Sequence, residues 1–189
     1  MPSPTPHARY TLGEYLRLEK FANVKHEFLG GQIYALAGGT PEHGAIAMRV
    51  GASLVDQLRG RRCSVYSSDV RVRVVATGLE TYPDLSVVCG EERRDAEDRN
   101  ALTNPVVLVE VLSPSSAEYD RGEKLDHYKR IPELREVVLV SPEASLVEVW
   151  RRRGDEWSSE ALSEGDTVEL CSIECQLDVG DVSYDPLAP

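Results

Sequence analysis

The stretch VVLVEVL, residues 106–112, places one carboxylate, Glu110, among six aliphatic side chains. An apolar run of this length and composition predicts a β-strand that is covered on both faces. A carboxylate in such a strand costs several kcal/mol in desolvation unless something pairs with it, so a functional role for Glu110 is favoured over a packing role. A second buried strand is predicted from Asp84 to Val88, and it opens with an acid directly after Tyr82-Pro83.

Asp84 and Glu110 would form a metal site if their strands are neighbours. Their carboxylates would then approach to about 5 Å, and at an effective dielectric constant near 20 they would repel each other by about 3 kcal/mol. A divalent cation turns this repulsion into attraction, and a few oxygen ligands with positions left for water suit Mg²⁺ or Mn²⁺ better than zinc. The alternative for Asp84 is a structural one, a strand-entry side chain bonded to backbone amides.

The rest of the chain predicts helices packed on a sheet. Thr11 and Glu14 have capping-box spacing, which predicts a helix through Glu19, and Thr40-Pro41 predicts the start of a second helix that ends at Gly60. A third helix is predicted at residues 117–130, with Ser115 or Ser116 as its cap. Further strands are predicted at residues 26–29, 32–36, 69–74, 136–140, 146–151, 157–162 and 167–170, and a loop at 91–104. We therefore expect an α/β or α+β fold with a mixed central β-sheet flanked by helices, as a single domain over residues 1–189.

Composition excludes several classes of protein. The chain has 189 residues, of which 41% are apolar and 28% charged, which excludes disordered, collagen-like and coiled-coil proteins. No aliphatic run approaches the length of a membrane-spanning helix, and the first ten residues lack the apolar segment of a secretory signal peptide. We expect a cytoplasmic protein without a membrane partner. The four cysteines (63, 89, 171 and 175) lack the spacing of a zinc site, and we expect buried or incidental thiols.

Charge is distributed unevenly along the chain. The net charge is −11, which argues against a polyanionic partner because nucleic-acid-binding proteins usually present a basic face. However, residues 154–189 hold ten acids and no Lys or Arg, so the remainder is close to neutral. Residues 49–73 hold six arginines against two aspartates. Either a local basic patch or a solvated charged face is consistent with this pattern.

The two acids lie within longer motifs that together resemble a known family. These motifs are YPD at 82–84, VEVLSPS at 109–115 and DRGEKLDHY at 120–128, with KHE at 25–27, GGT at 38–40, His43 and LVSP at 139–142. The combination covers most of the chain and resembles the Uma-type family of restriction-endonuclease-like proteins, within the PD-(D/E)XK nuclease superfamily. The resemblance implies a restriction-endonuclease-like core, here with extra strands in the acidic C-terminal region, 154–189.

The resemblance also implies a metal-dependent DNA endonuclease. Its metal ion, Mg²⁺ or Mn²⁺, would be held by Asp84, Glu110 and the backbone carbonyl of Val111, with Glu27 completing the metal shell. The ion would polarise the phosphodiester and lower the pKa of the attacking water. Arg71 and Arg73, on the polar face of their strand, are the expected phosphate contacts, with Arg61 and Arg62 as the alternative. His43, near a helix N-terminus, is the other expected substrate-binding residue, and a capping or core role is its alternative.

One position departs from the superfamily pattern. A lysine usually stands two residues after the second acid, but here that residue is Leu112. Lys124, on the following helix, is the candidate replacement and would position or deprotonate the attacking water and offset charge in the transition state. A solvated ion pair with Asp120 is the alternative for Lys124.

Two other functions stay open from the sequence. One is a catalytically weak binding or interaction module on a nuclease scaffold, which Leu112 and the acidic C-terminal region suggest. The other is a metal-dependent phosphohydrolase that acts on nucleotides or RNA ends. Under the endonuclease hypothesis we expect DNA as partner and a homodimer.

Overall fold

The computed structural model describes residues 9–142 and 145–183. Residues 1–8, on which the signal-peptide prediction mainly rests, and Asp185 of the acidic region lie outside the described residues. Within these ranges, no helix combines the length and the hydropathy needed to cross a membrane.

The first two helices begin where their capping residues predict. Thr11 and Glu14 form the reciprocal capping box, and Thr40 accepts a hydrogen bond from the backbone N–H of His43. The described helices are α1 (Leu12–Glu19), α2 (Pro41–Gln57), α3 (Ala117–Tyr119), a π-helical turn (Asp120–Lys124), α4 (Leu125–Tyr128) and α5 (Val179–Ser183).

The prediction of one continuous helix over residues 117–130 is wrong. The segment divides into α3, the π-helical turn and α4, because the backbone of Gly122 (φ −104°, ψ −105°) leaves the helical region. Ser116 stands at the N-cap position of α3, but its side chain makes no capping hydrogen bond. Glycine permits this break, since it has no Cβ to restrict the backbone.

Thirteen strands are assigned in the described residues. They are β1 (His26–Leu29), β2 (Gln32–Ala35), β3 (Cys63–Ser67), β4 (Arg71–Val74), β5 (Leu79–Thr81), β6 (Leu85–Cys89), β7 (Ala101–Leu102), β8 (Val107–Val111), β9 (Glu136–Ser141), β10 (Leu146–Arg153), β11 (Glu156–Ser163), β12 (Thr167–Leu170) and β13 (Cys175–Asp178). Sequence reasoning missed β3, β5, β7 and β13, none of which is longer than five residues. Strand β7 also corrects the expected uninterrupted loop at 91–104.

The fold is mixed α+β, as expected, but its strands form three sheets rather than one. The largest sheet has the order β11-β10-β9-β8-β6-β3, the second β2-β1-β5-β4-β7, and β12 and β13 pair separately. In the largest sheet β8 runs parallel to β9 and antiparallel to β6, with Leu85 opposite Val109. Glu110 lies on β8, and Asp84 directly precedes β6, so the two strands of the predicted site are neighbours. This confirms the strand pairing on which the predicted site depends.

Strand β8 separates two apolar clusters. Val107, Val109 and Val111 belong to the cluster that also contains residues of α2 and the apolar residues of β12, β13 and α5. Leu108 and Leu112 belong to the cluster on the opposite face, with residues of α4. Because side chains alternate along a strand, Glu110 projects toward the second face, where the π-helical turn lies.

The prediction of free thiols is wrong for two of the four cysteines. Cys63 and Cys89 lie directly opposite each other on β3 and β6, with Cα atoms 4.0 Å apart, and they form a disulfide. This pairing depends on a strand that sequence reasoning missed, so nothing in the residue spacing indicated it. The other two are free, Cys171 exposed and Cys175 buried.

Candidate active site

Lys124 lies at the centre of a buried group of carboxylates. Its Nζ atom is 3.0 Å from Glu110 Oε1, 3.3 Å from Asp120 Oδ1 and 3.4 Å from Glu27 Oε1. All four side chains are nearly inaccessible to solvent. Lys124 does pair with Asp120, as the alternative reading proposed, but the pair is buried and is joined by two further acids.

Three separate elements bring these residues together. Glu27 comes from β1 of the second sheet, Glu110 from β8 of the largest sheet, and Asp120 and Lys124 from the π-helical turn. π-Helical turns are rare in proteins, and those that occur are frequently found at functional sites. Here the turn places Asp120 and Lys124, four residues apart, on the side that faces Glu110.

Hydroxyl groups hold the carboxylates of this cluster in place. Thr81 donates to Glu27 Oε1, and the Tyr119 hydroxyl donates to Glu27 Oε2 at 3.1 Å. The Tyr128 hydroxyl donates to Glu110 Oε1 at 2.5 Å. Sequence reasoning assigned no functional part to Thr81, Tyr119 or Tyr128. The only available signal was that Tyr119 and Tyr128 adjoin or lie in the DRGEKLDHY motif.

The electrostatics of the cluster follow from its burial. Burial raises the pKa of Glu110 to about 8, with Lys124 acting against this rise and Asp84 adding to it. Burial alone would lower the pKa of Lys124, but the surrounding carboxylates, led by Glu110, outweigh it and raise that pKa well above its usual value. Lys124 is therefore a persistent cation, and it shares the site with a surplus of acids.

Asp84 forms the second half of the site. Its Oδ2 atom accepts a 2.7 Å hydrogen bond from the backbone N–H of Val111 and lies 3.2 Å from His43 Nε2 at the start of α2. The hydrogen bond to Asp84 raises the pKa of His43, and burial opposes this rise. Asp84 keeps 16% of its side chain exposed, so it is the carboxylate of the pair that solvent can reach.

The available donors fit a hard cation better than zinc. In the described residues no group of three or more His, Cys, Asp or Glu side chains is arranged to hold a metal ion. A metal ion here would have two carboxylates, those of Asp84 and Glu110, and the Val111 carbonyl, with other positions filled by water or substrate. That oxygen-only, partly open set suits Mg²⁺ or Mn²⁺.

Comparison with known protein families shows to which family this chain belongs. Residues 12–180 match the family described as "Uma2: Putative restriction endonuclease". The chain belongs to the Uma2 family. The matched span includes the acids, Lys124 and His43, so the predicted resemblance is confirmed.

Two relatives of this Uma2 chain come from Synechocystis sp. (strain ATCC 27184 / PCC 6803 / Kazusa). "Uncharacterized protein slr1290" is 36% identical over 97% of this chain and 95% of its own length. "Uncharacterized protein sll1609" is 31% identical over 85% of this chain and 92% of its own length.

A solved structure shares the fold. A crystal structure described as that of "a putative nuclease belonging to DUF820 from Anabaena variabilis ATCC 29413" superposes with a TM-score of 0.77. It covers 92% of this chain and 97% of its own, at 20% sequence identity. At that identity the likeness shows that this Uma2 chain has the same fold as that protein.

The two predicted substrate-binding arginines of this Uma2 chain are engaged inside the second sheet. Arg71 donates to Asp98 Oδ2 at 2.6 Å and to the Tyr82 hydroxyl at 2.7 Å. Arg73 donates to the Gly78 carbonyl at 3.0 Å and lies 3.3 Å from Glu80. Each side chain is only 13% exposed. These contacts disfavour the predicted phosphate contacts, because both guanidinium groups already face internal partners.

Proposed function

We propose that this Uma2 protein is a metal-dependent endonuclease that hydrolyses phosphodiester bonds of DNA. The observation that carries the proposal is the position of Lys124 Nζ, 3.0 Å from Glu110 on the strand beside Asp84. The superfamily pattern needs two acids and one lysine together, and Lys124 supplies the lysine that Leu112 cannot. The family description and the fold shared with a structure described as a nuclease support the same function.

The surplus of carboxylates supports a divalent cation at this site. Glu27, Glu110 and Asp120 surround one lysine, and a carboxylate without a counterion is costly when buried. Asp84, Glu110 and the Val111 carbonyl would hold Mg²⁺ or Mn²⁺. When bound, the ion would polarise the phosphoryl oxygen and lower the pKa of a bound water.

Glu27 and Lys124 have separate parts in this proposal. Both oxygens of Glu27 accept hydrogen bonds from hydroxyl groups, and one also contacts Lys124. Glu27 thus orients Lys124, and any contribution to the metal shell would pass through water. Lys124, kept charged by its acidic neighbours, offsets the negative charge that develops on the phosphoryl oxygens and orients the attacking water.

His43 connects the carboxylate pair to the substrate side of the site. Its Nε2 atom lies 3.2 Å from Asp84 Oδ2, and 23% of its side chain is exposed. In the proposal, His43 holds Asp84 in the orientation that faces the metal and donates a hydrogen bond to a substrate phosphate. The cap at the start of α2 is made by the Thr40 side chain, so the imidazole of His43 is not the capping group.

The binding module is the second candidate function, and Leu112 favours it. Leu112 occupies the usual lysine position, has no charge and packs in the apolar cluster with residues of α4. A binding module would retain affinity for a partner without turnover. The homodimer stays a prediction of the endonuclease hypothesis.

Cleavage of supercoiled plasmid separates the two. Purified wild-type protein is incubated with Mn²⁺ or Mg²⁺ beside Asp84→Asn and Glu110→Gln, prepared identically, so that a contaminating nuclease appears in all three samples. The endonuclease proposal predicts nicking by the wild type alone and none in EDTA. Equal inactivity of the three proteins, each folded by circular dichroism, contradicts it and favours the binding module.

A further inference from the structure

Two parallel strands leave the largest sheet through the same dipeptide. After β8 the chain continues through Leu112 to Ser113-Pro114, and β9 ends at Ser141, which Pro142 follows. The strands stay in register to the end, because the backbone N–H of Leu112 donates to the Val140 carbonyl at 2.8 Å. Proline has no N–H and cannot extend the ladder, so both chains leave the sheet at one edge.

A cavity of about 210 Å³ lies between these two exits. Ser113, Ser141 and both prolines line it, together with Ala117 and Arg121 of the helical segment. We call it the Ser-Pro pocket. The motifs VEVLSPS and LVSP thus meet in space, although neither serine takes part in the carboxylate site.

Arg121 points its guanidinium group into the Ser-Pro pocket. One nitrogen donates to Ser141 Oγ at 2.8 Å, and Nε donates to Glu148 Oε1 at 2.6 Å. These contacts fix the plane of a guanidinium that has five N–H groups, and 40% of the side chain remains exposed. Glu148 therefore orients Arg121 and also offsets part of its charge.

Ser113 adds a hydroxyl group to the lining of the Ser-Pro pocket. Its Oγ atom lies 2.9 Å from Ser116 Oγ and 3.1 Å from Ser115 Oγ. Hydroxyl hydrogens rotate to suit a partner, so this group can turn donors toward a ligand oxygen. A planar guanidinium with nearby hydroxyl donors is suited to a phosphate group.

The Ser-Pro pocket adjoins the carboxylate site. Leu112, on its wall, and Glu110 lie on the same face of the chain leaving β8, about 7 Å apart along the strand direction. Arg121 and Lys124 come from the same π-helical turn. One short segment thus provides a cation to the carboxylates and a second cation to the pocket.

We propose that the Ser-Pro pocket binds a phosphodiester of the nucleic acid next to the one that is cleaved. This inference rests on the proposed nuclease function and adds a contact for the substrate backbone. Arg121 and the hydroxyl groups of Ser113 and Ser141 hold the phosphate oxygens. Glu148 offsets only part of the charge of Arg121, so the pocket recognises the phosphate through the fixed geometry of its donors and through the remaining positive charge.

The test measures binding in EDTA, where no cleavage interferes. A fluorescein-labelled duplex oligonucleotide is titrated with wild-type protein, Arg121→Gln, Ser141→Ala and the control Arg130→Gln, an exposed arginine shortly after α4. We expect Arg121→Gln to raise Kd about tenfold and to reduce the slope of log affinity against log salt by about 0.9. Ser141→Ala raises Kd about threefold, and Arg130→Gln stays within about twofold of wild type.

A fourth variant, Glu148→Gln, separates binding from a structural role. If Arg121 serves only to pair with Glu148, both substitutions should have the same effect. The proposal predicts opposite effects, because Glu148→Gln removes a carboxylate beside the pocket and tightens binding. Inorganic phosphate, followed through the Nε–H resonance of Arg121, tests whether phosphate alone is recognised or the diester chain is required.

Failure of this inference differs from failure of the nuclease proposal. Unchanged affinity and salt slope in Arg121→Gln, an equal loss in Arg130→Gln, or no binding by the wild type overturns the pocket. Plasmid nicking by the wild type would then still support the nuclease. If Arg121 is needed for oligonucleotide binding but the wild type never cleaves, the pocket stands and the nuclease proposal fails.

Discussion

Lys124 Nζ lies 3.0 Å from Glu110 Oε1, and each of the two side chains is only 6% exposed. Glu110 belongs to β8 and Lys124 to the π-helical turn. Lys124 thus supplies a lysine near the second acid, although Leu112 occupies the position where the superfamily usually has one. Well-packed apolar residues of similar volume often stabilise a fold as well as a buried ion pair or better, because burying two charges carries a large desolvation cost. The protein therefore holds an arrangement that its packing alone does not require.

The hydrogen bond from Tyr128 to Glu110 should matter for activity more than for folding. Tyr128→Phe removes the hydroxyl but keeps the buried ring, so we expect a loss of about 1 kcal/mol in the free energy of unfolding. We also expect plasmid cleavage to slow about tenfold, since Glu110 loses one of the two contacts that orient it. Tyr66→Phe, which removes a hydrogen bond to Glu92 outside the site, is the control. Equal rates for wild type and Tyr128→Phe would contradict a positioning role.

A buried acid outside the carboxylate cluster around Lys124 should make stability depend on pH. Burial raises the pKa of Glu80 from 4.5 to about 8, with nearby Arg73 opposing the rise. The folded protein then binds this proton more tightly than the unfolded chain does. The contribution of Glu80 to stability is complete below about pH 4.5 and is lost as the pH rises through about 8.

Glu80→Gln should remove this dependence. We expect the free energy of unfolding of the wild type to fall relative to the variant by about 5 kcal/mol as the pH rises from below 4.5 to about 8. Urea titrations of both proteins at several pH values measure the difference. Parallel curves over the whole range would show that the folded-state pKa of Glu80 is not raised.

The disulfide makes a count of thiols informative. Without reductant, denatured protein should show two reactive thiols, those of Cys171 and Cys175, and four after reduction. Closing a loop over a sequence separation of 26 residues stabilises a protein by about 3.5 kcal/mol in the chain-entropy model. The Cys63→Ser/Cys89→Ser variant should therefore melt at a lower temperature, and reductant should change its melting little. Four thiols in freshly purified, unreduced protein would contradict the pairing.

Divalent-metal binding should depend on Asp84. Calorimetric titration with Mn²⁺ should show binding to the wild type and at least tenfold weaker binding to Asp84→Asn, because one of the two carboxylate ligands is lost. Glu80→Gln, which removes a buried carboxylate outside the site, should bind Mn²⁺ as the wild type does. Identical isotherms for all three proteins would place the metal elsewhere.

The strands of the site could be predicted from the sequence more readily than its final geometry. The apolar runs beside Asp84 and Glu110 identified two buried strands, and capping residues identified the starts of α1 and α2. The meeting of Glu27 with Lys124 depends on how the second sheet packs against the helical segment, which no local pattern encodes. The π-helical turn depends on the backbone at Gly122, and a helical period cannot reveal it.

The arginines show the same limit. Alternation along β4 correctly separated valines from arginines, but it did not reveal that the arginine face would also be covered. Arg71 and Arg73 meet Asp98 and Glu80, which come from other segments of the chain. Only tertiary structure distinguishes such internal pairs from a surface that contacts DNA.

The most direct test of the account is the cleavage rate of supercoiled plasmid in Mn²⁺ for wild type, Lys124→Met and Lys129→Met. Both variants remove one lysine from the same helical region, but only Lys124 contacts the carboxylates; Lys129 pairs with Asp126 outside the site. Circular dichroism and thermal melting establish that each variant is folded, and Lys124→Gln serves as a second replacement. The account predicts a loss of about a hundredfold or more for both Lys124 variants and a nearly unchanged rate for Lys129→Met. Cleavage by folded Lys124→Met at the wild-type rate would contradict it.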